Sequence, residues 1–508
     1  MNQAVDSAVA AASRTRMILG HPRGLATLFF TEMWERFSYY GMRALLLLFM
    51  TAAAAQGGLG MNAAEGGAIY GLYTAGVYLC SLPGGWVADR LLGLRRSVFW
   101  GGVLISLGNL LLAVPARIEL FYIGLLVISL GTGMLKPNVS CLVGELYQGD
   151  TGSRRDSAFS IYYLGINLGA LIAPFVAGTI GETIGYRWGF FSAGIAMALG
   201  LVQYRATGHW LGEAGLLPQV ANERERRRAW GILIASVTLL GIAVAVAAAG
   251  AVHLDVMQLA SAAGTVMVTL AVAFFGSVLL FGRLTAAEKK RVVVIALFFI
   301  CAALFWAGYE QAGSSLNLFA RDYTDRSWLG SWFSAGQHPV TWYQSVQPVF
   351  VLLLAPLFAW AWVALGKRRR DPPAPAKFGL GLAQLGASFA VMMIAAQLVI
   401  STGHKVLPGW LILTYLLQTT GELCLSPIGL SNVTKLAPPR FVGQMMGTWF
   451  LGAAIGNLVA GLVGGEVGGG SVAAMPAQYL QMALVGGGTG VLMLLLARPV
   501  RAWMGGVE

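Results

Sequence analysis

Between Thr27 and Ala55 an apolar run long enough to cross a bilayer carries Glu32, Glu35, Arg36 and Arg43, with Tyr39 and Tyr40 among them. At 100° per residue these six side chains fall within about 140° on one helical face, and the other faces are apolar. A charge in mid-membrane costs on the order of 3 kcal/mol on insertion scales, so such a stripe must face partners or water inside a bundle. Arg43 lies about 16 Å beyond Glu32 at 1.5 Å per residue, too far for one membrane interface to reach both ends. The stripe therefore reads as the polar wall of a central cavity, rather than as first-turn residues reaching back to headgroups with belt tyrosines.

The same chemistry recurs in other apolar runs. Lys136, in Gly131-Thr132-Gly133-Met134-Leu135-Lys136-Pro137-Asn138, has no acidic neighbour in its own run. Its partner must come from elsewhere, and the first run offers two carboxylates; Pro137 is expected to kink or end the helix there. Asn167 brings an amide into a run of small residues, Tyr162 to Pro174, either as a site group or as a tie between helices. Glu310 and Glu422 are carboxylates deep in two later runs. Four acids and three bases give the cavity a formal charge of −1. Seven unpaired charges would cost on the order of 20 kcal/mol, more than the whole stability of an ordinary domain, so they must pair, and pairs joining two halves of the chain can gate. One added proton neutralises the set, and neighbouring buried carboxylates readily share one, so a proton fits as the coupled ion. Opposite charges suit a zwitterion: the basic cluster takes its carboxylate, and glutamates and amides its ammonium.

The elements that carry these groups are helices. The chain has 508 residues, 57% hydrophobic and 11% charged, against a charged share of about 25% in soluble domains. Apolar runs of spanning length cover 27–52, 66–88, 97–115, 119–143, 156–181, 187–206, 228–250, 258–282, 291–318, 341–365, 378–400, 408–432, 441–464 and 475–498, fourteen in all. Of the 34 Lys and Arg, 26 fall in alternate loops beginning with the N-terminal tail, where Arg14, Arg16 and Arg23 lie, and five in the others, which predicts that both termini are cytoplasmic. The net charge of +12 thus reflects topology and lipid headgroups, not nucleic acid. The first run is expected to serve as the targeting signal, with no cleaved leader. Cys80, Cys141, Cys301 and Cys424 fall in or beside the runs without a CxxC pair and are expected to be packing residues.

These counts predict an all-α polytopic membrane protein. A cytoplasmic tail (1–26) precedes a six-helix bundle (27–206), a cytoplasmic linker with two extra transmembrane helices (207–290), a second six-helix bundle (291–498) and a cytoplasmic tail (499–508). Offset by 287 residues, Leu164, Gly165, Gly169, Leu171 and Ala173 meet Leu451, Gly452, Gly456, Leu458 and Ala460, a self-similarity that supports two related halves. The two extra runs carry almost no charge and are expected at the lipid-facing periphery.

Gly85 to Arg96 resembles the GxxxDRxGRR loop of the major facilitator superfamily, where the Asp caps a neighbouring helix and the arginines pair across the half-bundles. Glu32-Met33-Trp34-Glu35-Arg36-Phe37-Ser38-Tyr39-Tyr40-Gly41 resembles the ExxERFxYYG signature of proton-dependent oligopeptide transporters. Lys136-Pro137-Asn138, Tyr162 to Asn167, Glu310-Gln311 and Glu422 to Gly429 follow in that family's order. The resemblance implies a proton-coupled symporter that imports di- and tripeptides by alternating access through a central cavity between the bundles, monomeric as a working unit, in the inner membrane and without a cofactor. It implies that Arg36, Arg43 and Lys136, with Tyr40, hold the peptide carboxylate. Glu422 and Asn167 would hold the amino group, with Gln347 and Ser426 beside them. Tyr78, Trp306 and Trp449 would line side-chain pockets. Glu32, Glu35 and Lys136, with Arg36, Glu310 and Glu422, would carry proton coupling, and Arg43–Glu310 and Lys136–Glu422 would be gating pairs. Gln347 departs from the family's Asn before the proline. Gly71 stands where animal members have a histidine, so coupling should rest on carboxylates.

Two rival readings address the same residues. One is a proton-coupled carrier of another small anionic or zwitterionic solute, such as nitrate or a drug-like compound; plant-type nitrate carriers of the family usually lack the full ExxER present here. The other is a membrane redox enzyme, which needs ligands at depth, yet His21, His209, His253, His338 and His404 all fall in loops.

Overall fold

The computed structural model describes residues 17–506 except 19, 115–116, 149–151, 217, 219–221 and 250–254; Arg14, Arg16 and His253 lie outside the described residues. A short hairpin of β1 (Met17–Ile18) and β2 (His21–Pro22) precedes α1 (Arg23–Thr51). Then follow α2 (Ala63–Leu79), α3 (Ser81–Val87), α4 (Leu94–Leu112), α5 (Ile118–Leu146), α6 (Ser153–Ala173), α7 (Thr179–Thr183) and α8 (Tyr186–Thr207). After the linker come α9 (Glu223–Ala248), α10 (Val256–Phe281), α11 (Ala286–Tyr309), α12 (Ser315–Tyr323), α13 (Val346–Lys367), α14 (Ala374–Thr402), α15 (Gly409–Leu436), α16 (Val442–Gly469), α17 (Met475–Leu495) and α18 (Ala497–Met504). Among the described residues, nine helical segments are long and apolar enough to cross a membrane. The other five apolar runs are α1, α2 with α3, α4, α8 and α15; the run 66–88 is thus not one helix but breaks at Cys80.

Local chemistry explains several boundaries. Thr285 and Glu288 form a reciprocal capping box at the start of α11 (Thr285 N to Glu288 Oε2, 2.8 Å), and these hydrogen bonds hold the Glu288 carboxyl below its usual range. Pro137 does not end or break its helix: α5 runs through it. The Asn138 amide donates to the Met134 carbonyl at 2.6 Å, one turn back, while the carbonyl that the proline leaves without its usual donor, on Gly133, lies against Gly84. The run 291–318, in contrast, is not one helix. It breaks into a 3-10 turn at Glu310–Gly313, and Ser314 (φ −120°, ψ −102°) restarts the chain as α12. Five-residue π turns follow α3 at Ala88–Leu92 and α6 at Pro174–Gly178, the second beginning on the proline that lacks the N–H.

The chain divides into two compact units. The first holds Met1–Met42, Cys80–Ala177 and Arg187–His253, the second Arg43–Leu79, Gly178–Tyr186 and Leu254–Glu508, so the division passes through α1. The first unit's core gathers Leu28, Val98, Ile105, Leu135, Val139 and Met197 from α1, α4, α5 and α8. Arg95 Nε donates to the Ala214 carbonyl at 2.5 Å, and Arg90 stands 3.7 Å from Glu225. The arginines of the Gly85–Arg96 loop thus meet the segment after α8 and the start of α9, where the resemblance implied pairing across the half-bundles. Cys301 and Cys424 are buried as packing residues, but Cys141 is exposed. The two extra helices differ from one another. In the first unit α9 is exposed along almost its whole length, whereas α10, in the second, buries Ala260, Met267, Ala271, Phe275 and Val278. The α10 face meets α2 and α16 through Ala68, Ala75, Ala454 and Leu458.

Each unit contains the same glycine-mediated helix contact. A Cβ on Gly165 of α6 would stand 3.0 Å from Phe29, and one on Gly169 would stand 2.8 Å from Arg36 Cβ, both on α1. In the second unit, Gly452 and Gly456 of α16 meet Phe299 (3.2 Å) and Trp306 Cβ (2.6 Å) of α11. Phe299 and Trp306 follow Phe29 and Arg36 by 270 positions in both cases, so the repeat detected in α6 and α16 extends to their partners, and Arg36 and Trp306 occupy equivalent places. Small residues let these backbones approach, which apolar lipid alone would not drive.

Gly169→Leu should therefore overpack the α1–α6 contact at a cost of about 1–3 kcal/mol and lower the melting temperature of the purified protein in detergent by several degrees. Gly231→Leu, on α9, where a Cβ meets nothing within 4 Å, should leave it unchanged. Equal losses at the two positions would contradict the packing described here.

Candidate functional site

The sequence-predicted site residues fall into two clusters, one in each unit. In the first, the buried Arg36 guanidinium uses Nε for both glutamates of its own helix, 2.7 Å from Glu32 Oε1 and 2.8 Å from Glu35 Oε2. One cation thus links two carboxylates spaced three residues apart, donating its Nε hydrogen to Glu32, and a single helical face brings them together. Lys136 on α5 lies close enough to Glu35 for their charges to interact, whereas the acids of its own helix, Glu119 and Glu145, stand 17 and nine positions away. The buried Tyr162 hydroxyl lies 3.3 Å from Ser140 Oγ and also reaches Glu32. Arg36 Nη2, both carboxylate oxygens of Glu35 and Glu32 Oε2 are buried without a hydrogen-bond partner among the described residues. The network is charge-compensated but has hydrogen-bonding capacity to spare, which suits a ligand or a proton. Tyr40 packs edge-on to Tyr39 (5.2 Å) and beside Phe37, Ala173 and Ala177. The Asn167 amide donates to the Tyr163 carbonyl of its own helix at 2.9 Å, leaving its oxygen as the group on offer.

The second cluster forms around the break after α11. Arg43 pairs with Glu310 through Nη2, and its Nε donates to the Tyr70 hydroxyl at 2.5 Å. Gly313 makes this approach feasible: any Cβ there would overlap the Tyr70 hydroxyl and stand 3.2 Å from Arg43 Nε. Asn317 Nδ2 donates to the Ala44 carbonyl at 3.0 Å and ties α12 to the same stretch of α1. Glu422 accepts from the Tyr309 hydroxyl at 2.6 Å. Gln347 is buried and donates to Gln418 Oε1 at 3.1 Å, so its extra methylene relative to the family's Asn is taken up by an amide partner on α15. Trp306 lies edge-on to Tyr309 (5.4 Å), and its Nε1, like Ser426 Oγ, is buried without a hydrogen-bond partner among the described residues. Trp449 lies over Gly429, with its edge to Phe378 at 6.4 Å. Tyr78 packs with the α2–α10–α16 cluster.

The structure also adds residues. Tyr70, Tyr162, Tyr309 and Gln418 each contact a charged or amide side chain of these clusters. In sequence they resemble packing residues, and only the apolar runs around them hinted that their polar atoms needed partners. Glu182 on α7 is a further, partly buried acid with partners of its own: it accepts from Val340 N, Thr341 N and Thr341 Oγ1 at 2.8–2.9 Å. Gly71 has a steric explanation: a Cβ there would stand 2.7 Å from the Leu458 carbonyl, so the α2–α16 contact excludes a histidine.

Arg43 and Glu310 are both buried, and removing either leaves the other charge uncompensated. Arg43→Met and Glu310→Gln should each destabilise the protein by about 3 kcal/mol or more, and the double variant should recover much of that loss in a thermal-unfolding cycle. Additive losses would mean that the pair is not an energetic unit.

A family model described as the POT family matches residues 95–473. That range excludes Glu32 to Gly41, so the match and the first helix's motif are separate observations. The peptide transporter YePEPT of Yersinia enterocolitica subsp. palearctica is 40% identical over 505 residues, covering 97% of each chain. The di-/tripeptide transporter of Lactococcus lactis subsp. cremoris is 36% identical over 507 residues, covering 97% of this chain and 98% of that one. A crystal structure of a peptide transporter POT in complex with sulfate matches with a TM-score of 0.89 at 38% identity, covering 97% of this chain and 98% of the other. The likeness carries the expected all-helical, multi-pass major facilitator fold, and with sequence and structure agreeing over nearly the whole chain, this protein belongs to the POT family of membrane transporters.

Proposed function

We propose that the chain is a proton-coupled symporter that imports di- and tripeptides by alternating access. The observation that carries the reading is a set of seven charged side chains held among apolar helices, in a chain whose relatives named above are peptide transporters. In this reading the peptide carboxylate meets Arg36, Arg43, Lys136 and Tyr40, and the buried, unsatisfied Nη2 of Arg36 is the donor on offer. The peptide ammonium meets Glu422 and the Asn167 oxygen, with Gln347 and Ser426 beside them. The two ends are thus bound by residues from both halves of the sequence. Peptide side chains lie against Tyr78, Trp306 and Trp449.

The proton is carried by the Glu32–Glu35–Arg36–Lys136 network. When a substrate carboxylate engages the cations, the glutamates lose part of their compensation, and a proton restores it. Glu310 and Glu422 take part through the gating pairs Arg43–Glu310 and Lys136–Glu422, each of which must break for the site to change the side it faces. The chain crosses the inner membrane fourteen times with both termini in the cytoplasm. It works as a monomer: six-helix bundles at 27–206 and 291–498 transport, and the two helices between them lie at the lipid-facing periphery, α10 with one face against α2 and α16.

Purified protein in liposomes should accumulate labelled di-alanine under an imposed inward proton gradient. Glu35→Gln should abolish that accumulation while counterflow exchange of the same peptide survives. Absence of both proton-dependent accumulation and competition by di- or tripeptides in the wild type would overturn the substrate assignment.

A further inference from the structure

The reading of Glu422 as the amino-group site leaves open what holds its carboxylate in place. We propose that Tyr309 is the positioning residue for Glu422 and thereby sets the selectivity for a free peptide amino group, an inference that rests on that reading. The Tyr309 hydroxyl donates to Glu422 Oε2 at 2.6 Å, a distance typical of a hydrogen bond to an ionised oxygen. Among the described residues this is the one hydrogen bond that the Glu422 carboxylate accepts.

The donor is itself held firmly. Tyr309 stacks on Phe305 with centroids 5.6 Å apart and planes 26° apart, and Trp306 meets it edge-on at 5.4 Å and 83°. A phenol has two side-chain torsions, and these contacts fix both. A glutamate has three and, without the hydroxyl, its carboxylate would sample several orientations. The hydroxyl occupies one lone pair on Oε2 and leaves Oε1 for an ammonium, so Tyr309 orients the acid without competing for its binding oxygen. A preorganised acceptor binds more tightly than one that must be ordered during binding.

Its position in the chain sharpens the point. Tyr309 is the last residue of α11, and the 3-10 turn begins at Glu310, which pairs with Arg43. Two consecutive residues at one break therefore serve the two carboxylates: one is the acid of the Arg43 pair, and the other orients Glu422.

The test uses the full-length chain in proteoliposomes and measures competition of di-alanine counterflow by two probes. These are di-alanine itself and propionyl-alanine, the same molecule without its amino group. In Tyr309→Phe the apparent affinity for di-alanine should fall about tenfold, that for propionyl-alanine should change less than about twofold, and the maximal exchange rate should persist. Glu422→Gln should erase the preference for the free amine at least as far. Equal losses for both probes in Tyr309→Phe, or no loss for either while Glu422→Gln erases the preference, would overturn the positioning role. If Glu422→Gln keeps the preference, the amino-group reading itself fails and this proposal falls with it.

Discussion

A carboxylate or guanidinium held between apolar helices has no water to spread its charge, so its partner must be supplied by the protein or its ligand. This constraint shapes the described structure more than any other. Arg36 bridges Glu32 and Glu35, Lys136 stands near Glu35, and Arg43 meets Glu310 and Tyr70. Among the described residues, Arg36, Glu32 and Glu35 keep buried hydrogen-bonding capacity unused, which suits a ligand or a proton. A network with every donor and acceptor matched would be a structural strut. One with spare donors and shared carboxylates can exchange a proton for a ligand charge.

Bringing long charged side chains into register requires helices that approach closely, and glycine supplies that approach. The α6 glycines let α1 settle with the Arg36 Cβ against Gly169, and the α16 glycines do the same for α11 and Trp306. Equivalent positions in the two halves thus hold a cation in one and an aromatic ring in the other. Gly67 and Gly71 on α2 extend the principle, packing against the backbone of Gly461, Gly465 and Leu458 on α16 at separations that no larger residue tolerates. The absence of a histidine at position 71 follows from that contact.

Much of this could be read from the residues alone, because charges in apolar runs are few and each one demands an explanation. The helices, the stripe on α1 and the need of Lys136 for a partner outside its own helix were all visible in this way. The break at Glu310–Ser314 was not. Its run contains no proline and stays largely apolar, and Tyr70, the residue that crowds Gly313, lies more than two hundred positions away. Pro137 was misleading in the opposite direction: the helix continues through it, and the Gly133 carbonyl that it leaves without a donor lies against Gly84. Tyr309 and Gln418 went unnoticed because a tyrosine or glutamine in an apolar run looks like packing until its polar atom is seen to have a partner. Likewise, beyond the charged first turns of α9 (Glu223 to Arg228), the two extra helices are both apolar, and that shared character does not tell that α9 is exposed while α10 buries one face.

The central claim is that substrate charge and proton are exchanged within one compensated network on α1. The measurement that tests it most directly is the number of protons taken up as peptide binds, obtained by titration calorimetry of di-alanine in buffers of different ionisation enthalpy. Wild-type protein at neutral pH should take up protons as it binds, and Glu35→Gln should bind with that uptake lost. Binding whose heat is the same in every buffer would contradict the account, because the network would then accept the peptide without a proton.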